Sequence, residues 1–343
     1  MQNIKCKVLI FSLFTFHFSL FTTSDASAMH ISEGILPWNW AVLWFVVAVP
    51  FIGLGLYQLK KYSSIDLSFK PFVGFMAAVV FIISCMPVPV PTAGTCSHPC
   101  GTGMSGILLG PCISVIVASV ALLIQALFLA HGGLSTWGAD IVSMGVVGSF
   151  AGYLTFKAGR SMKMNMAVAG FFAGLFADWA TYLTTSVELA LGIRGDSPFV
   201  PLFIKIFVAF IPTQLPLGIL EGAMTAGVIV LLYKKRPDLL IKMRVIKPEK
   251  KVQNSKFKFQ SLGKYFLIIF LVSTPVFASD KWGGVDESVV EKYAEEHGRE
   301  AREPLINTDQ GDLLLFVFLL AGTVGGFIAG YCWRTLMKEK KEQ

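Results

Sequence analysis

The chain has 343 residues, is 54% hydrophobic and only 15% charged, and carries a net charge of +7. Apolar sequence in such long runs excludes a water-soluble protein and requires lipid, so the fold class is an all-α, polytopic membrane helix bundle. Six cysteines with no paired spacing exclude a disulfide scaffold, and the basic excess lies beside apolar segments, where lipid headgroups and the positive-inside rule account for it better than nucleic acid.

Residues 1–28 read as a signal peptide. Lys5 and Lys7 give a positive start, Val8 to Phe21 is apolar but too short to span, and Ala26-Ser27-Ala28 is a small-x-small cleavage signal. Cleavage leaves Met29 as the first residue; a start codon at Met29 gives the same mature end, Met29-His30-Ile31-Ser32-Glu33-Gly34.

Apolar runs near 39 to 59, 71 to 90, 104 to 130, 138 to 156, 164 to 191 and 201 to 232 predict membrane segments, with two more near 263 to 278 and 312 to 333. Residues 234 to 258 carry ten Lys/Arg against Asp238 and Glu249 and are expected inside. Residues 280 to 310 carry nine acids and four bases and suit the outside, as a solvated linker. Lys60, Lys61 and Lys70 ask for one inside loop and Lys157, Arg160 and Lys163 for another. An outside N-terminus then requires an odd number of crossings between 71 and 130. Three are expected there, one of them short and broken by the Gly/Pro-rich stretch from Pro87 to Pro111. The total is about seven helices after the signal peptide, plus two at the C-terminus.

Irregular backbone at membrane depth survives only where protein or a water-filled cavity covers it, which makes Met86 to Gly103, with His98 at its centre, the first place to look for a site. The mature terminus supplies the other half. The Met29 amine, the His30 amide and imidazole, and the His98 imidazole are four nitrogen donors. Amine, deprotonated amide and imidazole form fused small rings in one plane, and a fourth nitrogen closes a square that Ni(II), Cu(II) and sometimes Co(II) accept. Zinc prefers a tetrahedral shell and magnesium an oxygen one.

The Met-His-Ile-x-Glu-Gly-x-Leu-Pro terminus from Met29 to Pro37, Gly94-Thr95-Cys96-Ser97-His98, Gly101-Thr102-Gly103, Ile107 to Pro111, Gln125-Ala126-Leu127, His131-Gly132-Gly133, Gly138-Ala139-Asp140, Asp178 to Tyr182 and Gln214 to Gly222 together resemble the substrate-binding component of cobalt/nickel energy-coupling-factor transporters, the CbiM/NikM family. The likeness covers Met29 to about Tyr233. It implies that the Met29 amine, the His30 amide and imidazole and the His98 imidazole bind Co(II) or Ni(II) as transported substrate, with Glu33, Ser97, Gln125, His131 and Asp140 as supporting candidates. His131, at an outer boundary, suits either that role or an interfacial hydrogen bond.

Two departures stand out. Cys96 and Cys100 flank His98 where the family has hydroxyl or small residues; they read as small buried residues, with soft ligation or a short disulfide as alternatives. Asp140 stands where the family more often has an amide. The buried acids Asp178, Glu188 and Glu221 read as packing groups in preference to a proton path.

The domain division is 29–233 as the metal-binding core, 234–262 as a basic cytoplasmic linker and 263–343 as a segment similar to the auxiliary two-helix CbiN/NikN subunit, with an extracytoplasmic acidic loop. Gly322, Gly326 and Gly330 form a smooth ridge, and Gly74 with Ala78 a second, both candidates for helix docking. No Gly-x-x-x-x-Gly-Lys-Ser/Thr loop occurs, so no ATP site is expected here and no enzyme activity. A coupling (T) component, separate ATPase (A) subunits and membrane lipid are the expected partners. The signal peptide puts the mature N-terminus outside, an inner-membrane location with a cytoplasmic C-terminus is expected, and the resemblance implies a role in supplying cobalamin synthesis. The competing reading is a membrane redox protein with His98 and His131 as axial haem ligands.

Overall fold

The computed structural model describes residues 30–66, 69–85, 88–90, 95–129, 131–246, 286–303, 305–306 and 313–339. Residues 1–28, expected to be a signal peptide, Met29, most of the basic linker and the apolar run 263 to 278 lie outside the described residues.

The core is built from α1 (Trp38–Ile65), α2 (Phe69–Ser84), α3 (Thr102–Leu109), α4 (Pro111–Phe128), α5 (Trp137–Ser161), α6 (Met166–Ile193) and α7 (Phe199–Lys235). A short α8 (Pro237–Lys242) follows, then a π turn (Asp286–Glu291) running into α9 (Lys292–Glu295), and finally α10 (Leu313–Glu339). Among the described residues α1, α4, α5, α6 and α7 are each long and apolar enough to cross a membrane, and the chain is a multi-pass membrane protein. Lipid-facing chemistry is evident on α1, where Trp38, Val46 and Tyr57 are exposed and apolar surface has no water to avoid.

The stretch from 71 to 130 is helix, ribbon, short helix, helix. Strand β1 (Val88–Val90) pairs antiparallel with β2 (Thr95–Ser97), Val88 opposite Ser97. Val90 and Ser97 are buried, so the ribbon is covered by protein, as irregular backbone at this depth requires. The apolar run 104 to 130 is not one helix. Gly110, at φ +83°, breaks it in a conformation that side chains resist, and Pro111 starts α4 at the position where its missing N–H costs nothing. At 1.5 Å per residue the eight residues of α3 rise only about 12 Å, well short of a bilayer.

Helix α5 carries a π-helical segment at Ile141–Gly148, which the sequence reading did not foresee and which follows directly on Asp140. Helix α6 starts where Asn165 accepts the Val168 N–H at 2.8 Å, a side-chain cap. It then crosses α7 backbone to backbone: a Cβ on Gly174 would lie 2.7 Å from the Glu221 carbonyl oxygen, and one on Gly222 would lie 2.6 Å from that of Phe171. Small residues on both helices permit this approach, and it brings Asp178 of α6 and Glu221 of α7 into one layer.

The acidic segment is not a free linker. Val290 and Ala294 are 0% exposed, and the Arg302 N–H donates to the Glu33 carbonyl at 2.7 Å, so residues 286–303 lie against the N-terminal loop.

Candidate metal centre

The N-terminal loop, residues 30 to 36, is pinned on every side. Ile31 and Ile35 are fully buried and anchor it by apolar contact. The Asp140 Oδ1 accepts the Ile31 N–H at 3.3 Å, and the Thr136 hydroxyl donates to the Ile31 carbonyl. The Glu33 Oε2 accepts the Ser135 N–H at 3.0 Å, and the Ser32 hydroxyl donates to Glu291 at 3.1 Å. Gly132 follows His131 at φ +74°, and a Cβ there would sit 2.9 Å from His30 Cβ. Only glycine allows both the turn and the approach.

These contacts bring three imidazoles together. Ring centroids are 5.3 Å apart for His30 and His98, 5.2 Å for His98 and His131, and 6.0 Å for His30 and His131. All three are buried. Burial holds the His30 imidazole down at about 4 against the opposing influence of Gln125, and His131 at about 3 with the neighbouring His30 adding to the effect. His98 is likewise held low, by burial and then by the other two rings. Neutral imidazoles are the form that ligates a metal.

The tautomer of His30 follows from a relay. Gln125 Nε2 donates to the Ser84 hydroxyl at 2.8 Å, and that hydroxyl donates to the Phe81 carbonyl at 3.1 Å. The Gln125 carbonyl oxygen therefore faces His30 Nε2, 3.0 Å away, and must accept from it. That leaves the lone pair on Nδ1, which lies 4.0 Å from Asp140 Oδ1. Two electron-rich atoms thus face one another at the first described residue. Both His131 ring nitrogens lack a hydrogen-bond partner among the described residues.

Of the supporting candidates, Gln125, Asp140 and Glu33 hold the loop as described, and His131 stands in the ring cluster itself, not at an interface. Ser97 does something else: its hydroxyl accepts from Gln214 Nε2 at 3.0 Å and ties the His98 loop to α7. Sequence reasoning missed Ser84, Ser135 and Thr136. The adjacency of Ser135-Thr136 to His131-Gly132-Gly133 was the available signal. Cys100 carries no disulfide, and the Cys96 side chain lies outside the described residues. A Cβ on Gly74 would be 3.4 Å from Cys332 Sγ, so that ridge faces α10 of the same chain. Among the described residues Gly322, Gly326 and Gly330 meet nothing within 4 Å, whereas Gly325 meets Phe81 and Ile82.

Comparison with known proteins places the chain in a family. The sequence model for CbiM, described as the cobalt uptake substrate-specific transmembrane region, matches residues 30–239. The chain belongs to that family. The cobalt transport protein CbiM of Geobacter sulfurreducens is 64% identical over 325 residues, covering 94% of both chains. The namesake from Sorangium cellulosum is 54% identical over 219 residues, 64% of this chain and 97% of its own length. Two solved structures share the fold: a truncated transition metal transporter (27% identity, TM-score 0.53, 60% of this chain and 99% of that one) and a transition metal transporter (26%, 0.54, 63% and 99%). A CbiM-family chain is the substrate-binding component of a metal transporter and not an enzyme, which removes the haem reading. The geometry agrees, because the His30 ring stands close to both His98 and His131 and leaves no gap for a porphyrin between them.

Proposed function

We propose that this chain captures Co(II) outside the cell, with Ni(II) admitted by the same donors, through the Met29 amine, the His30 amide and Nδ1, and the His98 imidazole. One observation carries the reading: the Ser84–Gln125–His30 relay fixes the tautomer whose free Nδ1 points at Asp140, beside two further neutral imidazoles. His131 stands ready as an alternative or exchanging nitrogen donor. Asp140 orients the loop and offsets part of the dication's charge.

The ion is handed inward by an energy-coupling-factor assembly in which a separate transmembrane coupling protein and ATPase pair do the work, in support of cobalamin synthesis. The domain division is supported by the family match ending at residue 239. The Sorangium relative also aligns over almost all of its own length while covering only 64% of this chain, leaving the C-terminal segment as an addition. That segment lays residues 286–303 over the N-terminal loop, on the face where a cleaved signal peptide would leave the new terminus outside the inner membrane.

The test is accumulation of radioactive cobalt by cells carrying this chain with a family coupling protein and ATPase pair. Uptake lost in His30→Ala and His98→Ala chains present at normal levels in the membrane supports the reading. Uptake unchanged in both sinks it.

A further inference from the structure

One polar layer lies deeper than the imidazoles. Cys100 follows His98 by two residues, so the two Cα atoms are at most about 7 Å apart, and its loop runs from the ring cluster to the crossing of α6 and α7. There Cys100 Sγ, a carboxylate oxygen of Asp178 and one of Glu221 lie within 4.8 Å of one another, all buried. Asp178 stands twelve residues into the 28-residue α6, near its middle. Glu188, ten residues on and in the layer of Asp140, is about 15 Å further along the same helix.

The three groups are held in different ways. Glu221 is fixed as an acceptor by the Cys100 and Gly101 N–H groups at 2.7 and 3.0 Å. Asp178 is 0% exposed and neither of its oxygens has a hydrogen-bond partner among the described residues. A purely structural acid would be hydrogen-bonded. An uncompensated acid at this depth is costly, and a cation held among the three groups would compensate it.

We infer that Cys100, Asp178 and Glu221 form a second, deeper site for a first-row divalent cation that accepts mixed sulfur and oxygen ligands, one step inward from the imidazole cluster and joined to it by the His98–Cys100 loop. Cobalt(II) and zinc(II) fit this donor set, while magnesium and calcium do not. Metal–sulfur and metal–oxygen bonds of about 2.3 and 2.0 Å require ligand atoms roughly 3 to 4 Å apart, so atoms already within 4.8 Å of one another need only a small closure on binding. Glu221 already accepts on both oxygens as a carboxylate, so ligation releases the thiol proton, and the thiolate and the Glu221 carboxylate together neutralise the dication. The site rests on the proposed capture function only in its source of ions; its donors are separate.

The test is titration of the detergent-purified full chain with Co(II), read by metal count and by thiolate-to-cobalt charge-transfer absorption. The expected result is two cobalt ions per chain and a thiolate band. Cys100→Ser should abolish the band and one ion while keeping the other, and the retained ion reports a folded chain. Asp178→Asn, which keeps the side-chain shape, should likewise cost one ion. His98→Ala should lose the imidazole-bound ion and keep the band. A wild-type chain that binds one cobalt without a thiolate band, or a band that survives Cys100→Ser, overturns the inference. A His98→Ala chain that keeps both ions sinks the imidazole reading and leaves the deeper site standing.

Discussion

The two ends of the described chain use apolar sequence in opposite ways. Residues 30 to 36 are sunk among α4, α5 and the segment 286–303, with side-chain or backbone hydrogen bonds at Ile31, Ser32, Glu33 and Gly34. Helix α10 lies outside, packs on α2 through Gly325 and Cys332, and leaves Leu319 and Phe327 70% and 74% exposed. The N-terminal loop spends buried contacts to hold a few atoms in one geometry. The C-terminal helix offers a smooth surface and fixes nothing beyond its own seat. Binding should therefore be sensitive to sub-ångström changes at one end and indifferent to the other.

The largest expected effect comes from moving the terminus. An Ala inserted between Ala28 and Met29 and retained after cleavage puts the imidazole in third position and breaks the fused rings. Cobalt affinity by calorimetry should fall by more than about 100-fold, beyond what loss of a supporting residue costs, with the fold intact by circular dichroism.

Acid should act next, and its sign is determined by which groups carry protons. His30 is held at about 4 and His131 at about 3, so neither releases a proton on ligation near neutral pH. The amine and the amide do. Below the amine's range of about 8, binding that releases two protons should weaken by about 100-fold per pH unit. A dependence of about tenfold per unit would mean the amide stays protonated. The same low histidine values affect folding: between the ordinary 6.5 and about 4 the unfolded chain takes up the proton and the folded one does not. Stability from this source is complete above 6.5 and declines as pH falls through that window, as thermal melts across it should record.

Gln125→Leu removes the acceptor that fixes the His30 tautomer, and Asp140→Asn removes the acid group facing Nδ1. Each should cost about 10- to 100-fold in affinity, as for other groups that orient a metal ligand. The smallest effect belongs to Gly326→Leu on the open face of α10, with affinity within about twofold of wild type. A drop in cellular uptake with unchanged affinity would identify that face as a docking surface, and a drop in affinity would break the contrast between the two ends.

What the sequence disclosed follows from where side chains act alone. The apolar runs on α1, α6 and α7 are long enough to announce themselves, and the Met-His terminus carries its chemistry in consecutive residues. The break at Gly110-Pro111 instead interrupts the run 104 to 130 that its even apolarity had presented as one segment. The rest depends on long-range geometry. His131 is separated from His30 by 101 positions in sequence and joins its ring cluster only because Gly132 turns the backbone. Asp178 and Glu221 meet because α6 and α7 approach through glycines that, read singly, look like lipid-facing small residues. The charge of the acidic segment predicts a solvated linker, yet Val289, Val290 and Ala294 supply the buried face that seats it.

The most direct test of the central claim is the metal content of the purified mature chain by mass spectrometry, with its N-terminus sequenced and a His30→Ala chain alongside. Cobalt or nickel bound to a chain beginning at Met29, with one ion fewer in His30→Ala, is the predicted result. A chain confirmed to begin at Met29 that holds no metal after growth in supplemented medium, or holds the same amount in His30→Ala, would contradict it.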